Sequence, residues 1–345
     1  MLLALRNCGL LAPHCLSSIH AAPSTTSERN RVLILLLLLL VLPFGVNAQT
    51  PGTEEAPTLK QVGETAHPPV DEMSGIVRSR WQENVWWVHN DSGDEPRLFA
   101  IDSTGAVHAA PWHAGDYASG AGADSSDIPA WPGVQLGAAA HIDYEDIAVE
   151  DSVLYLGDIG NNGNARRDLG IYVIREPFHY DRRTRPVKHL SIAYPDQEAF
   201  PAPEWHFDAE ALVVDDGTPY LLTKHRERAE NTALVPGTKL YRLDTAHPHQ
   251  VNVLTKVDEH ASIPPPTGAA LSPSGDRLAV VSYASVWIFP RPDEGNRWLS
   301  TSPRRISLPP EQSKQMEAVT WDDARTLRLT NEQRDLCVLS VGGTP

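Results

Sequence analysis

The sequence predicts an all-β fold: a five-bladed β-propeller closed by an N-terminal outer strand. Two observations predict it. Beyond residue 58 the chain alternates short β-prone runs with turns, and no stretch sustains a 3.6-residue apolar period. Within that region one four-strand template recurs five times, at spacings of about 50 to 70 residues.

The first strands of the five repeats are SGIVRS from Ser74, EDIAVE from Glu145, EALVVD from Glu210, TGAALSPSG from Thr267 and EAVTWDD from Glu317. The second strands are VWWVHND, VLYLGDI, PYLLTKH, RLAVVSY and TLRLTNE. RLFAID, LGIYVIR, TKLYRLD, SVWIFPR and DLCVLSV supply the third. Fourth strands are legible in three repeats only: VKHLSIAY, QVNVLTKV and RRISLPP. After LCVLSV the last repeat has none, whereas TLKQVGE (58–64) precedes the first repeat with no partner there. It is expected to close the ring as the outer strand of the fifth blade, which removes a free sheet edge. The Gly-, Ala- and Ser-rich run 113–142 reads as a long loop of the first blade, either disordered or decorative. Residues 49–345 thus read as a single propeller domain.

Residues 1–48 read as an address rather than structure. Arg29 and Arg31 precede the apolar run VLILLLLLLVLPFG and the small-residue stretch VNA. That is the order of a cleaved signal peptide behind an upstream extension. The apolar run is short for a membrane span, so a periplasmic or secreted protein is expected, without stable membrane insertion after cleavage. Cys8 and Cys15 lie in the removed part, and Cys337 alone remains, a buried apolar residue by its strand context. The formal net charge is −15. So acidic a chain is a poor partner for nucleic acid, which demands positive faces.

In a propeller the first strand of each blade lines the central channel, so its opening residue contributes to a ring. Here the ring is Ser74, Glu145, Glu210, Thr267 and Glu317. Three carboxylates in a narrow channel repel one another. Either a hard cation neutralises them, Ca2+ ahead of Mg2+ because all the donors are oxygens, or they hydrogen-bond blade backbones and hold water.

The turn after each second strand returns to the same face. Those turns gather His89, Asn90, Asp91, Asp158, Asn161, Arg166, Arg167, Lys224, Arg226, Tyr283 and Glu332 around the channel mouth. Turns chosen for geometry alone favour Gly, Asn and Pro, and these carry acids, bases and a histidine. Cations above a metal suit an anionic small molecule, phosphate or carboxylate. In the hydrolytic reading His89, Asp91 and Asp158 are the candidates to accept a proton from water. Asn90, Asn161, Arg166, Arg167, Lys224, Arg226, Tyr283 and Glu332 would hold the substrate.

The ring order, with SGI, EDI, EAL and EAV at blade starts and the basic turn TKHRER, resembles the calcium-activated nucleotidases, the secreted apyrases. The resemblance implies a five-bladed propeller with an axial Ca2+ and hydrolysis of nucleoside di- and triphosphates. That family has serine where this chain has Thr267, and the likeness carries over no catalytic base. HNDSGD, LGDIGNN and DAEAL at 89–94, 156–162 and 208–212 are similar to strings in a group of bacterial exported propeller proteins, a likeness that implies the fold and no activity. A glycosidase would use paired acids without a basic crowd. A non-catalytic propeller that binds an exported partner protein, with a structural Ca2+, is the remaining alternative.

Overall fold

The computed structural model describes residues 57–125, 127–228 and 233–342. The expected signal segment, 1–48, lies outside the described residues. Among them no helix is long and apolar enough to cross a membrane.

Five sheets, antiparallel except for a short added strand in two of them, form the expected five blades. Blade one runs from its inner strand outward through Met73–Arg78, Trp86–Asn90, Arg97–Ile101 and Val134–Leu136. Blade two is Tyr144–Glu150, Val153–Asp158, Gly170–Arg175 and Pro186–Ala193. Blade three is Trp205–Asp215, Thr218–Arg226, Thr238–Arg242 and Thr255–His260. Blade four is Pro266–Leu271, Arg277–Ser282, Ser285–Pro290 and Arg304–Ser307. Blade five takes Met316–Trp321, Thr326–Asn331 and Asp335–Ser340 from the end of the chain, and Leu59–Glu64 from its beginning. Leu59 pairs with Leu339 and Gln61 with Cys337, so the closing strand is where the sequence puts it.

The blades adhere through apolar faces. Five buried clusters occur among the described residues, one between each pair of neighbouring blades. Ile147 and Leu154 meet Trp87 and Ala100 between blades two and one. Leu336 and Ala318 meet Ile76 and Phe99 across the closure between blades five and one. Cys337 is buried in the cluster between blades four and five, and burial pushes its thiol up to about 11. It is an inert packing residue.

Two features of the outer edges differ from expectation. The 113–142 run is not simply a loop. Val134–Leu136 inside it is the missing outer strand of blade one, pairing Leu98 with Val134. Trp131 just before it is buried and stacks on His113, while the His67 ring bonds the Trp131 carbonyl. The run QVNVLTKV is also divided. Asn252–Val253 pairs in parallel with blade two, and only Thr255–His260 belongs to blade three. Arg183–Thr184 likewise pairs with the outer strand of blade one. Each of these short strands ties a blade to chain from the following repeat.

Candidate metal and ligand site at the channel mouth

The five inner strands share one irregularity. In each, the ladder with the second strand skips one residue: between Met73 and Gly75, Tyr144 and Asp146, Ala209 and Ala211, Pro266 and Gly268, and Met316 and Ala318. The skipped residues are Ser74, Glu145, Glu210, Thr267 and Glu317. A bulged residue is unpaired and its side chain is re-aimed. All five ring residues are therefore turned out of the ladder by the same device.

Ser74, Glu145, Glu210 and Glu317 line a cavity of about 180 Å³ at this end of the channel. Glu72 and Asn162 complete part of its wall. The Thr267 hydroxyl instead donates to the Met316 carbonyl of the next blade, as Ser74 Oγ donates to the Glu145 carbonyl. Two residues farther along each inner strand stand Ile76, Ile147, Leu212, Ala269 and Val319. They help line a separate cavity at the other end of the channel. Beside this apolar layer the buried Asp146 carboxylate accepts the Leu212 and Ala269 amides at 2.9 and 3.2 Å, so one side chain joins three blades. Burial lifts its pKa to about 8.

The second strands deliver a matching set. Asn90, Asp158, Thr223, Ser282 and Asn331 stand opposite the residue before each bulge. The next residue along is Asp91, Lys224, Tyr283 or Glu332 in four blades, and all four line the cavity. Blade two breaks the pattern with the buried apolar Ile159.

His89 belongs to a different place. It pairs with Gly75, is fully buried, and meets Tyr144 edge-on at 5.9 Å. Burial lowers its pKa to about 4. The structure does not bring it to the mouth. Asn90 is also held within blade one, bonding Asp94 and the Pro69 carbonyl. Asp158 is buried and accepts Arg166 at 2.9 Å and the Asp143 amide at 3.0 Å, so it positions Asp143. Asn161 is consumed by loop contacts, accepting the Ala165 and Arg166 amides and donating to Phe207. Arg166 bridges Asp158 and Asp168, and Arg167 lies over the Phe200 ring.

Two residues at the centre of the site were not singled out from sequence, Asp143 and Asp208. Oxygens of Asp91, Asp143 and Glu145 lie within 4.8 Å of one another, and so do those of Glu145, Asp208 and Glu210. Glu145 belongs to both sets. A readable signal was the D-x-E spacing two residues before the ring position, DYE at 143–145 and DAE at 208–210. Gly160 makes room for the first set: a Cβ there would lie 2.1 Å from Glu145 Oε1 and 2.4 Å from Asp143 Oδ2. Its place in DIGNN is thus explained by the carboxylates beside it as well as by turn geometry.

Cations balance only part of this charge. Lys224 Nζ lies 2.7 Å from Glu210 Oε1. Burial disfavours the ammonium, but Glu210 in the first place holds its pKa above the ordinary value. Arg226 reaches Asp208 at 3.2 Å. Burial raises both Glu145 and Glu210, and the two share a hydrogen bond. Lys224, beside Glu210, offsets part of the rise there. Burial together with Asp91 and Asp208 lifts Asp143 to about 6. Burial, offset in part by Lys224, lifts Glu317 to about 9. Without a cation the site holds protons that ordinary carboxyl groups would release.

No protein-family model matches the chain, and no curated protein matches it. Solved structures do. The PQQ-bound form of aldose sugar dehydrogenase from Streptomyces coelicolor is 11% identical, covering 82% of this chain and 98% of that one, with a TM-score of 0.44. The PQQ domain of pyranose dehydrogenase from Coprinopsis cinerea is 10% identical over 83% and 96%, with a TM-score of 0.44. The soluble aldose sugar dehydrogenase of Escherichia coli is 9% identical over 83% and 99%, at 0.39. Likenesses this remote carry nothing about chemistry. The blade count rests on this chain's own strand pairing, and the likeness to the nucleotidases rests on the ring motif alone.

Proposed function

We propose that the channel mouth binds a divalent cation, Ca2+ ahead of Mg2+, and that the protein is an exported, metal-dependent hydrolase of a phosphate-containing small molecule. The observation that carries the metal is the pair of three-carboxylate sets sharing Glu145. Ca2+ takes its oxygens at about 2.3–2.6 Å, so ligands on opposite sides stand about 5 Å apart. The oxygens of each set already lie that close, with Gly160 leaving them space. All the donors are hard oxygens, and the excess of carboxylates over Lys224 and Arg226 favours a cation. Asp91, Asp143, Glu145, Asp208 and Glu210 would hold it.

A bound Ca2+ would orient a phosphate and polarise water beside it. The chain's own residues would do the remaining work. Lys224 fixes a positive charge between Glu210 and the Tyr283 ring, 5.7 Å from that ring's centre. Arg226 is anchored by Asp208 and reaches Asn162, which lines the cavity. Glu72, whose side chain has no hydrogen-bond or ion-pair partner among the described residues, has its pKa raised by burial and by Asp91. It is the rim carboxylate best suited to accept a proton from water. Export is supported by the charged, apolar and small-residue order of 29–48.

One observation favours a second reading, a binding propeller with a structural Ca2+. Lys224 and Arg226 are both committed to carboxylates, so among the described residues that line the cavity no cation is left free to greet an anion. A phosphate-release screen over nucleotides and sugar phosphates, with and without Ca2+, separates the two. Ca2+-dependent release that is lost in Glu72→Gln supports the hydrolase. Calcium binding without release on any of these supports the binding propeller.

A further inference from the structure

At the end opposite the mouth, the Trp81 hairpin of blade one and the segments after the third strands of blades one and two present an apolar, cationic edge. Trp112 is 63% exposed, Phe178 47% and Trp81 44%. They form one chain of contacts: Trp81 meets Phe178 at 5.0 Å, Phe178 meets Tyr180 at 5.3 Å, and Tyr180 meets Trp112 at 4.9 Å. Contiguous exposed rings of this kind mark an interaction site rather than scatter.

The rings are held outward by design of the local chain. The Gln82 side chain donates to Glu176 and to the Pro177 carbonyl, and accepts the His179 amide. Glu176 also accepts the buried Trp87 indole, and Asp181 accepts the Phe178 amide. The turn 177–181 is thus tied down on both sides while Phe178 faces water. Burying those rings in the core would have been the default, and the turn prevents it.

The charge of this segment is opposite to that of the whole chain. Arg175, Arg182, Arg183, Arg185 and Lys188 are all exposed, and none has an ion-pair partner among the described residues. The chain as a whole carries −15. Elsewhere many of its cations are matched, as Arg226 is with Asp208 or Arg291 with Asp215, whereas in this segment all five lack a carboxylate partner among the described residues. Arg182 donates to the Tyr117 hydroxyl at 2.5 Å, which leaves its charge without a counterion, and cations without carboxylate partners beside exposed rings fit an anionic partner with an apolar layer beneath its charge.

We infer that this edge docks the propeller on an anionic lipid bilayer, rings in the interface and guanidinium groups on the headgroups. The ring geometry favours lipid over an acidic glycan. A sugar platform needs free, coplanar ring faces. Here Trp81 and Phe178 cross at 82° and Trp112 and Tyr180 at 72°, while Phe178 and Tyr180 stack on each other at 11°, so the rings cover one another's faces. Exposed Val187, in the same segment, adds aliphatic area that a sugar would not use. A bilayer interface needs only apolar area flanked by basic side chains. This docking is independent of the chemistry at the mouth.

The test is binding of the full chain to vesicles of phosphatidylcholine, with and without phosphatidylglycerol. Residues 1–56 contain no tryptophan. Quenching of tryptophan fluorescence by brominated lipid therefore reports contact by the propeller and not by the N-terminal segment. The inference predicts quenching by anionic vesicles only, reversed by salt. Arg182→Glu/Arg183→Glu and Trp112→Ser/Phe178→Ser should each weaken binding about tenfold or more at an unchanged melting temperature. No quenching in the wild type overturns the inference, as does quenching unaffected by both variants in folded protein. Retention on an acidic polysaccharide instead, lost in the same variants, overturns the lipid and assigns the edge to a glycan. If a variant fails to fold, the wild-type quenching decides by itself.

Discussion

Lys224 Nζ stands 2.7 Å from Glu210 Oε1, and both side chains are about 5% exposed. Glu210 belongs to the ring of bulged residues, and the ammonium stands between it and the Tyr283 ring, a fixed cation in the wall of a carboxylate-rich cavity. Removing one partner of a buried pair leaves the other uncompensated. Lys224→Met is expected to cost about 3–5 kcal/mol in metal-free protein, read by chemical denaturation. Saturating Ca2+ should recover part of that loss, because the freed carboxylate gains a cation. Equal loss with and without Ca2+ would place no cation beside Glu210.

Glu317 gives the site a pH signature. Its pKa is about 9 in the folded chain and near 4.5 when unfolded. Between those values the folded state holds the extra proton, so stability falls as pH rises through the window. Glu317→Gln keeps the neutral form at every pH. The variant should flatten the decline, and at pH 8.5 should gain roughly 1–3 kcal/mol over the wild type in EDTA. A decline of unchanged slope would show that Glu317 ionises normally.

Gly160 tests the carboxylate sets without touching a ligand. A methyl group there would fall against Glu145 and Asp143. Gly160→Ala should lower calcium affinity about tenfold or more, the Asp143 and Glu145 oxygens being forced apart, since Ca2+ sites are tuned by such geometry. Gly75→Ala is the control. Its Cβ would meet His89, not the cavity. It should cost about 1–3 kcal/mol of stability by overpacking and leave calcium affinity unchanged. Equal effects on affinity would remove the distinction between the mouth and the blade interior.

Ring closure is a prediction of its own. Leu59–Glu64 covers the edge of Asp335–Ser340 and buries Leu59 against Cys337 and Leu339. Deleting residues through Glu64 would expose that edge, which invites strand pairing between copies. Light scattering should show self-association, with a lower melting temperature. A monomer of unchanged stability would mean that the closing strand is dispensable.

The repeat made much of this legible in the sequence. The closing strand was readable because TLKQVGE had no partner and the fifth repeat lacked a fourth strand. The ring was readable because all five blades bulge at the same residue, so sequence offset and spatial position agree there. The second-strand turns were harder. Counting from the ring put His89 beside Lys224, but the ladder shows Asp91 in that position and His89 under Gly75. Hairpin lengths differ between blades, and an offset read without the register drifts by two residues, which turns a rim residue into a buried one. Val134–Leu136 was hidden because three residues in a Gly- and Ala-rich run carry no alternation. Asp143 and Asp208 were hidden because two blades of five share the D-x-E spacing. Their meeting around Glu145 depends on how neighbouring blades are juxtaposed.

Calcium content is the most direct test of the central claim. The full chain, and its Glu145→Gln variant, would be dialysed against buffered Ca2+ and the bound metal measured, with melting curves to confirm the fold. The account predicts one Ca2+ bound per wild-type chain and its loss in Glu145→Gln, because that carboxylate serves both ligand sets. No bound metal in the wild type, or full retention in the variant, would contradict it and leave the carboxylates as a protonated, hydrated channel mouth.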